Sequence, residues 1–96
     1  MTLDQLYKII KDRKENMPKN SYVTSLLLQG EDRVIQKIGE EATEVIIAAK
    51  NTNKEKFTSE TSDLLFHIII LLNLKNVTLD DIFLELENRK SKQKKV

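Results

Sequence analysis

Only Gly30, Gly39 and Pro18, among 96 residues, are of the two types that most readily interrupt regular structure. Between them, apolar residues recur at three- and four-residue spacing. No stretch shows the two-residue alternation of a half-buried strand. That pattern confines the chain to an all-α fold, and five helices are expected. The first covers Leu3–Asn16, with Thr2 and Gln5 as a capping box and Leu3, Leu6, Tyr7 and Ile10 as its apolar stripe. Residues 17–21, with Pro18, form a breaker loop. A short helix over 22–29 is closed by Gly30. A third runs over 32–50 and carries Gly39 inside it, at a cost of roughly 1 kcal/mol relative to Ala. That cost hints at close packing or close ligand approach, although a tolerated glycine fits as well. Thr52 with Glu55 is expected to cap a fourth helix ending at Leu74, with Asn76 as a stop. Thr78 caps a fifth, with Asp80 and Asp81 in its first turn, where they complement the macrodipole. The basic stretch over 89–95 is expected to fray.

The fourth helix is the core element. Over 57–74 its apolar residues come to occupy nearly every face, the mark of a buried helix. A chain this short buries a modest fraction of its surface, and oligomerisation is a common remedy. The expected architecture is therefore a helical bundle completed by homodimerisation, built from one domain spanning 1–96.

Carboxylates gather in two clusters beside this element. Glu40, Glu41 and Glu44 lie on the third helix; Glu60 and Asp63 open the apolar run of the fourth. A helix turns about 100° per residue, so Glu41 and Glu44 share a face, and Glu40 joins at four from Glu44. Lys37 lies on the same stripe. Glu60 and Asp63 share a face as well, with His67 one turn further on. A short connection makes the two helices antiparallel neighbours, which can bring the clusters together. Taken singly, the first cluster also reads as a solvated helix face, and the second as a dipole complement. Lys37 alone reads as a plain surface lysine, and His67 as a packed or interface histidine rather than a metal ligand. Together, carboxylates at the mouth of an apolar segment are costly to desolvate unless compensated. A bound divalent cation compensates them. An oxygen-only donor set suits magnesium or manganese rather than zinc, and magnesium commonly brings a phosphate-bearing substrate.

Composition removes other classes. A net charge of +1 gives no global drive towards nucleic acid or an anionic membrane. The absence of cysteine leaves no disulfide and no thiolate metal site. The longest apolar run, over 64–72, is too short to span a bilayer. The N-terminus lacks the basic and apolar regions of a signal peptide, so a cytoplasmic location is expected.

Residues 36–50 followed by 60–67 closely resemble phosphoribosyl-ATP pyrophosphohydrolase, a family within the all-α, MazG-like nucleotide pyrophosphohydrolases. The superfamily signature, Glu-Glu-x-x-Glu followed by Glu-x-x-Asp, is met by Glu40, Glu41, Glu44, Glu60 and Asp63. Arg13, the segment 18–25, Gly30 and the 63–67 run narrow the resemblance to the family. Gln36 stands where the family often has a second lysine, and Phe66 where it often has tyrosine. The resemblance implies magnesium-dependent hydrolysis of phosphoribosyl-ATP to phosphoribosyl-AMP and pyrophosphate, the second step of histidine biosynthesis. It further implies metal ligation by Glu41, Glu44, Glu60 and Asp63, and Glu40 as an outer ligand or base. Arg13 and Lys37 would then meet substrate phosphates. Ser21, Tyr22 and Thr24 would line the nucleotide pocket, or else cap a loop, and His67 is counted with the substrate contacts. Two rivals remain: a related pyrophosphohydrolase of deoxynucleotides, and a non-catalytic helical protein whose acids bind cation.

Overall fold

The computed structural model describes residues 1–92. Among the described residues there are five helices and no strand: α1 (Leu3–Asn16), α2 (Tyr22–Leu28), α3 (Glu31–Ala49), α4 (Lys54–Leu74) and α5 (Leu79–Lys92). The local chemistry explains most boundaries. At α1 the Thr2 hydroxyl accepts from the Gln5 amide at 3.1 Å, and the Gln5 side chain accepts from the Thr2 amide at 2.8 Å. Two otherwise unpaired donors are satisfied reciprocally. The helix ends where Met17 turns left-handed (φ 47°) and donates to the Arg13 carbonyl at 2.9 Å. Pro18 then cannot extend it.

Gly30 serves two helices. Its N–H closes α2 on the Leu27 carbonyl at 3.1 Å, and its carbonyl starts α3 by accepting from Val34. Its φ of 98° is one that a side chain would strain. The start of α4 differs from expectation. Asn53, not Thr52, is the N-cap, and its side chain accepts from the Lys56 amide at 3.0 Å. Asparagine is the stronger cap, and it stands one residue nearer the helix. Asn76 adopts the left-handed conformation (φ 56°) expected of a stop. At α5, Thr78 and Asp81 form a reciprocal pair at 2.9 and 3.1 Å. That helix continues through Lys92, so residues 89–92 are helical rather than frayed. Residues 93–95 of the basic stretch lie outside the described residues.

The lengthy contact between α3 and α4 forms the backbone of the fold, and α1 lies against α4. Ile10, Val23, Leu26, Val34, Ile69 and Ile70 form the core, drawn from the first four helices. Polar bonds lock α1 in place. Lys14 Nζ donates to the Asn73 carbonyl at 2.9 Å, and the Tyr7 hydroxyl donates to the Val77 carbonyl at 2.9 Å. Asn73 is buried, and its amide is satisfied by the Ile69 carbonyl at 3.1 Å.

Helix α4 is only partly covered by its own chain. His67, Ile69, Ile70 and Asn73 are buried, while Ile68, Leu71 and Leu72 are half-buried and Leu65 is exposed. Gly39 marks no close packing within the chain, because a Cβ built there meets nothing within 4 Å. No single described helix is long and apolar enough to cross a membrane.

Two stability changes follow from this packing. Gly39→Ala should stabilise the protein by roughly 0.5–1 kcal/mol in urea unfolding, since the helix gains propensity and loses nothing. Ile70→Ala, at a position only 1% exposed, should cost about 2–5 kcal/mol.

Candidate metal and nucleotide site

The short connection after Ala49 folds α4 back along α3, and this brings the two acid clusters into register. Carboxylate oxygens of Glu41, Glu60 and Asp63 lie within 4.8 Å of one another. The Glu41 and Glu60 side chains are each only 13% exposed, whereas Asp63 faces outward. Three like charges this close repel, and each helix supplies a lysine against them. Lys37 Nζ lies 3.1 Å from Glu41, and Lys56 Nζ lies 3.3 Å from Glu60. Both are one turn before their partner, the favourable spacing for an ion pair on a helix only in part, since the acid follows the base. The hydrogen bond to Glu41 raises the Lys37 pKa above its ordinary value, against the lowering effect of burial. Lys37 is thus paired with the acidic cluster rather than standing alone on the surface.

The other expected acids stand apart from this triad. Glu40 lies on the exposed rim, 3.4 Å from Arg33 and 3.6 Å from Lys37. Glu44 is exposed, three residues beyond Glu41 and outside the close group. Among the described residues it has no ion pair, so its carboxylate is free to join a ligand set. All donors here are carboxylate oxygens, a set that fits a hard divalent cation.

An open cleft of about 420 Å³ is lined by Glu41, Asp63, Tyr22, Phe66 and His67. His67 is 5% exposed. Its Nδ1 lies 2.7 Å from the Asp63 backbone carbonyl, which can only accept, so Nδ1 carries the proton. In the neutral ring Nε2 is then an acceptor, and it takes the Tyr22 hydroxyl at 2.7 Å. Both ring nitrogens are engaged, and His67 ties Tyr22 to the turn that carries Asp63. The Tyr22 and Phe66 rings pack edgewise on the imidazole at 5.6 and 5.7 Å.

Tyr22 and Phe66 also line a larger cavity of about 690 Å³, together with Arg13 and Ser21. Thr24 does not face it: the residue is 6% exposed and its hydroxyl is buried without a partner. The Ser21 hydroxyl caps α2, accepting from the Thr24 amide at 3.4 Å. Two further residues border the cluster: Lys56, paired with Glu60, and Phe66, in the wall of the cleft. The spacing of Lys56 four before Glu60 repeats that of Lys37 before Glu41 and would have found the first. Nothing short of the fold shows that Phe66 is a shared wall.

The fold and the site define an α-helical protein with an acidic, cation-competent cluster beside a cavity of nucleotide size. The family model "Phosphoribosyl-ATP pyrophosphohydrolase" matches residues 3–90. The chain is 47% identical over 90 residues to phosphoribosyl-ATP pyrophosphatase of Clostridium novyi, covering 94% of this chain and 82% of that one. It is 46% identical over 88 residues to the protein of that name from Saccharolobus islandicus, covering 92% and 94%. It is also 49% identical over 90 residues to the histidine biosynthesis bifunctional protein HisIE of Caldanaerobacter subterraneus, of which it spans 44%. The chain belongs to the phosphoribosyl-ATP pyrophosphohydrolase family.

A cation bound only by the folded state should raise Tm. At about ten times Kd, magnesium or manganese should add roughly 1.4 kcal/mol. Asp63→Asn should remove most of that gain in a thermal-shift titration.

Proposed function

We propose that this chain hydrolyses phosphoribosyl-ATP to phosphoribosyl-AMP and pyrophosphate, in the cytoplasm. The convergence of Glu41, Glu60 and Asp63 within 4.8 Å, in a chain of this family, is the observation that supports the reading. Magnesium is the proposed ion, with manganese able to replace it, held by these three residues and Glu44. When bound, such an ion neutralises charge at the phosphoanhydride and acidifies water.

The protein's own groups do the rest. Water adds across the α–β phosphoanhydride, one P–O bond forms, one breaks, and one proton must be taken up. Glu40, held at the rim by Arg33 and Lys37, is the proposed acceptor. Lys37 supplies a point charge and Arg13 a bidentate donor for substrate phosphates. Ser21 and Tyr22 meet the nucleotide. Thr24 acts through α2 packing instead, given its burial. His67 holds Tyr22 through Nε2.

The working unit is proposed to be a homodimer. Ile82, Phe83 and Leu86 form a helically spaced apolar stripe on α5 that the chain itself leaves exposed, and Ile46 and Ile47 stay exposed on α3. Burying such surface gains roughly 25 cal/mol per Å². Phe83→Glu should therefore convert a dimer to a monomer in sedimentation velocity.

The reaction is tested by pyrophosphate release from phosphoribosyl-ATP, with and without magnesium, beside ordinary ribo- and deoxyribonucleoside triphosphates. Magnesium-dependent release from phosphoribosyl-ATP alone is expected. Glu41→Gln should lower turnover by more than the roughly 10–100-fold lost with a mere supporting partner. Release from deoxynucleotides alone would transfer the chemistry to another substrate. Silence on every nucleotide, from folded protein, would overturn the hydrolase reading.

A further inference from the structure

The lining of the larger cavity has a different character from that of the acidic cleft. The cavity lies between the end of α1 and the 17–21 loop and is lined by Arg13, Asn16, Lys19, Tyr22 and Phe66, among others. Its lining carries two cations and one carboxylate, Asp12, whereas the charged residues that line the cleft beside the acids are Glu41 and Asp63. Asp12 accepts from both Arg13 Nη1, at 3.3 Å, and Asn16 Nδ2, so one carboxylate orients two donors. Lys19 forms no ion pair among the described residues. The loop carrying it is shaped by the left-handed Met17, by Pro18 and by the Ser21 N–H on the Pro18 carbonyl at 3.3 Å.

The two cavities share Tyr22 and Phe66, whose rings lie 6.1 Å apart. One aromatic pair thus borders both the acid-lined cleft and the cavity that holds the cations. The chemistry of the proposed substrate has the same order. Its triphosphate hangs from one ribose, and its phosphoribosyl group is attached at N1, on the far edge of the adenine. Two anionic ends flank a planar base. With the triphosphate at the acids, the base meets the aromatic wall and the distal phosphate reaches the cations.

We propose that this cavity is the subsite for the phosphoribosyl arm. Arg13 and Lys19 are the counter-charges of its terminal phosphate monoester, Asn16 is a neutral donor to it, and Asp12 is a positioning residue for Arg13. This assignment rests on the proposed hydrolase reading and deepens it. The subsite is what separates phosphoribosyl-ATP from ATP, since ATP has nothing to place there.

The test compares affinities of phosphoribosyl-AMP and AMP for the full chain with magnesium, by titration calorimetry. Wild-type protein should bind phosphoribosyl-AMP more tightly. Lys19→Ala should cut that preference roughly tenfold, the scale of one lost charge-assisted hydrogen bond, and Lys19→Glu should cut it further. AMP affinity should not move with either change. Asp12→Asn should lower the preference when Arg13 is present and have a smaller effect in an Arg13→Ala background, where only Asn16 is left for Asp12 to orient. Equal wild-type affinity for the two nucleotides, or equal weakening of both by Lys19→Ala, would overturn the subsite. Because binding needs no turnover, the two ideas fail separately. A protein that prefers phosphoribosyl-AMP but releases no pyrophosphate keeps the subsite and loses the hydrolase.

Discussion

Three carboxylates from two helices must be held within a few ångströms of each other, and the rest of the structure depends on that constraint. Left alone, they would push α3 and α4 apart. The apolar contact of Val34 with Ile69 and Ile70 in the shared core holds the hairpin closed. Lys37 and Lys56 offset the charge from outside the cluster. A lysine whose pKa is raised by Glu41 stays cationic through the neutral range, so the offset persists without any added ion. The arrangement is then poised: the lysines hold the acids in the free protein, and a divalent cation, with more charge at shorter range, is a stronger partner.

The same constraint reaches the substrate cavity through one histidine. His67 takes its tautomer from the Asp63 carbonyl and passes it to the Tyr22 hydroxyl. The acid-bearing turn of α4 and the cavity-lining start of α2 are therefore coupled by two hydrogen bonds of 2.7 Å. Tyr22 and Phe66 border both cavities, so in the proposed reading they set where a base sits relative to acids and cations. Remote binding of the nucleotide and placement of its phosphoanhydride become parts of one geometry, the condition under which orientation contributes to rate.

Much of this was legible in the sequence, for definite reasons. Helix positions follow from periodicity and from breakers, and Thr2, Gly30, Asn76 and Thr78 act where such residues should. The one misplaced cap, Thr52 for Asn53, reflects two good capping residues side by side, which propensity separates poorly. The meeting of Glu41 with Glu60 and Asp63 followed from helical spacing plus an antiparallel hairpin. Spacing could not say that Glu40 turns to Arg33, seven residues back, or that Glu44 stands outside the close group. Nor could it say that Thr24 is buried, because a seven-residue helix offers too little pattern to orient its faces. The cavity around Arg13 was hidden for a different reason. It is made by residues from α1, a loop, α2 and α4 that only tertiary packing brings together.

Occupation of the carboxylate triad by a divalent cation is the central requirement of the proposed chemistry. Anomalous scattering from crystals of this protein grown with manganese would test it. The expected result is a peak in contact with Glu41, Glu60 and Asp63, within the roughly 2–2.6 Å of hard-cation coordination, with Lys37 displaced from Glu41. A triad still bridged by Lys37 and Lys56 at saturating manganese, with no peak between the helices, would contradict it.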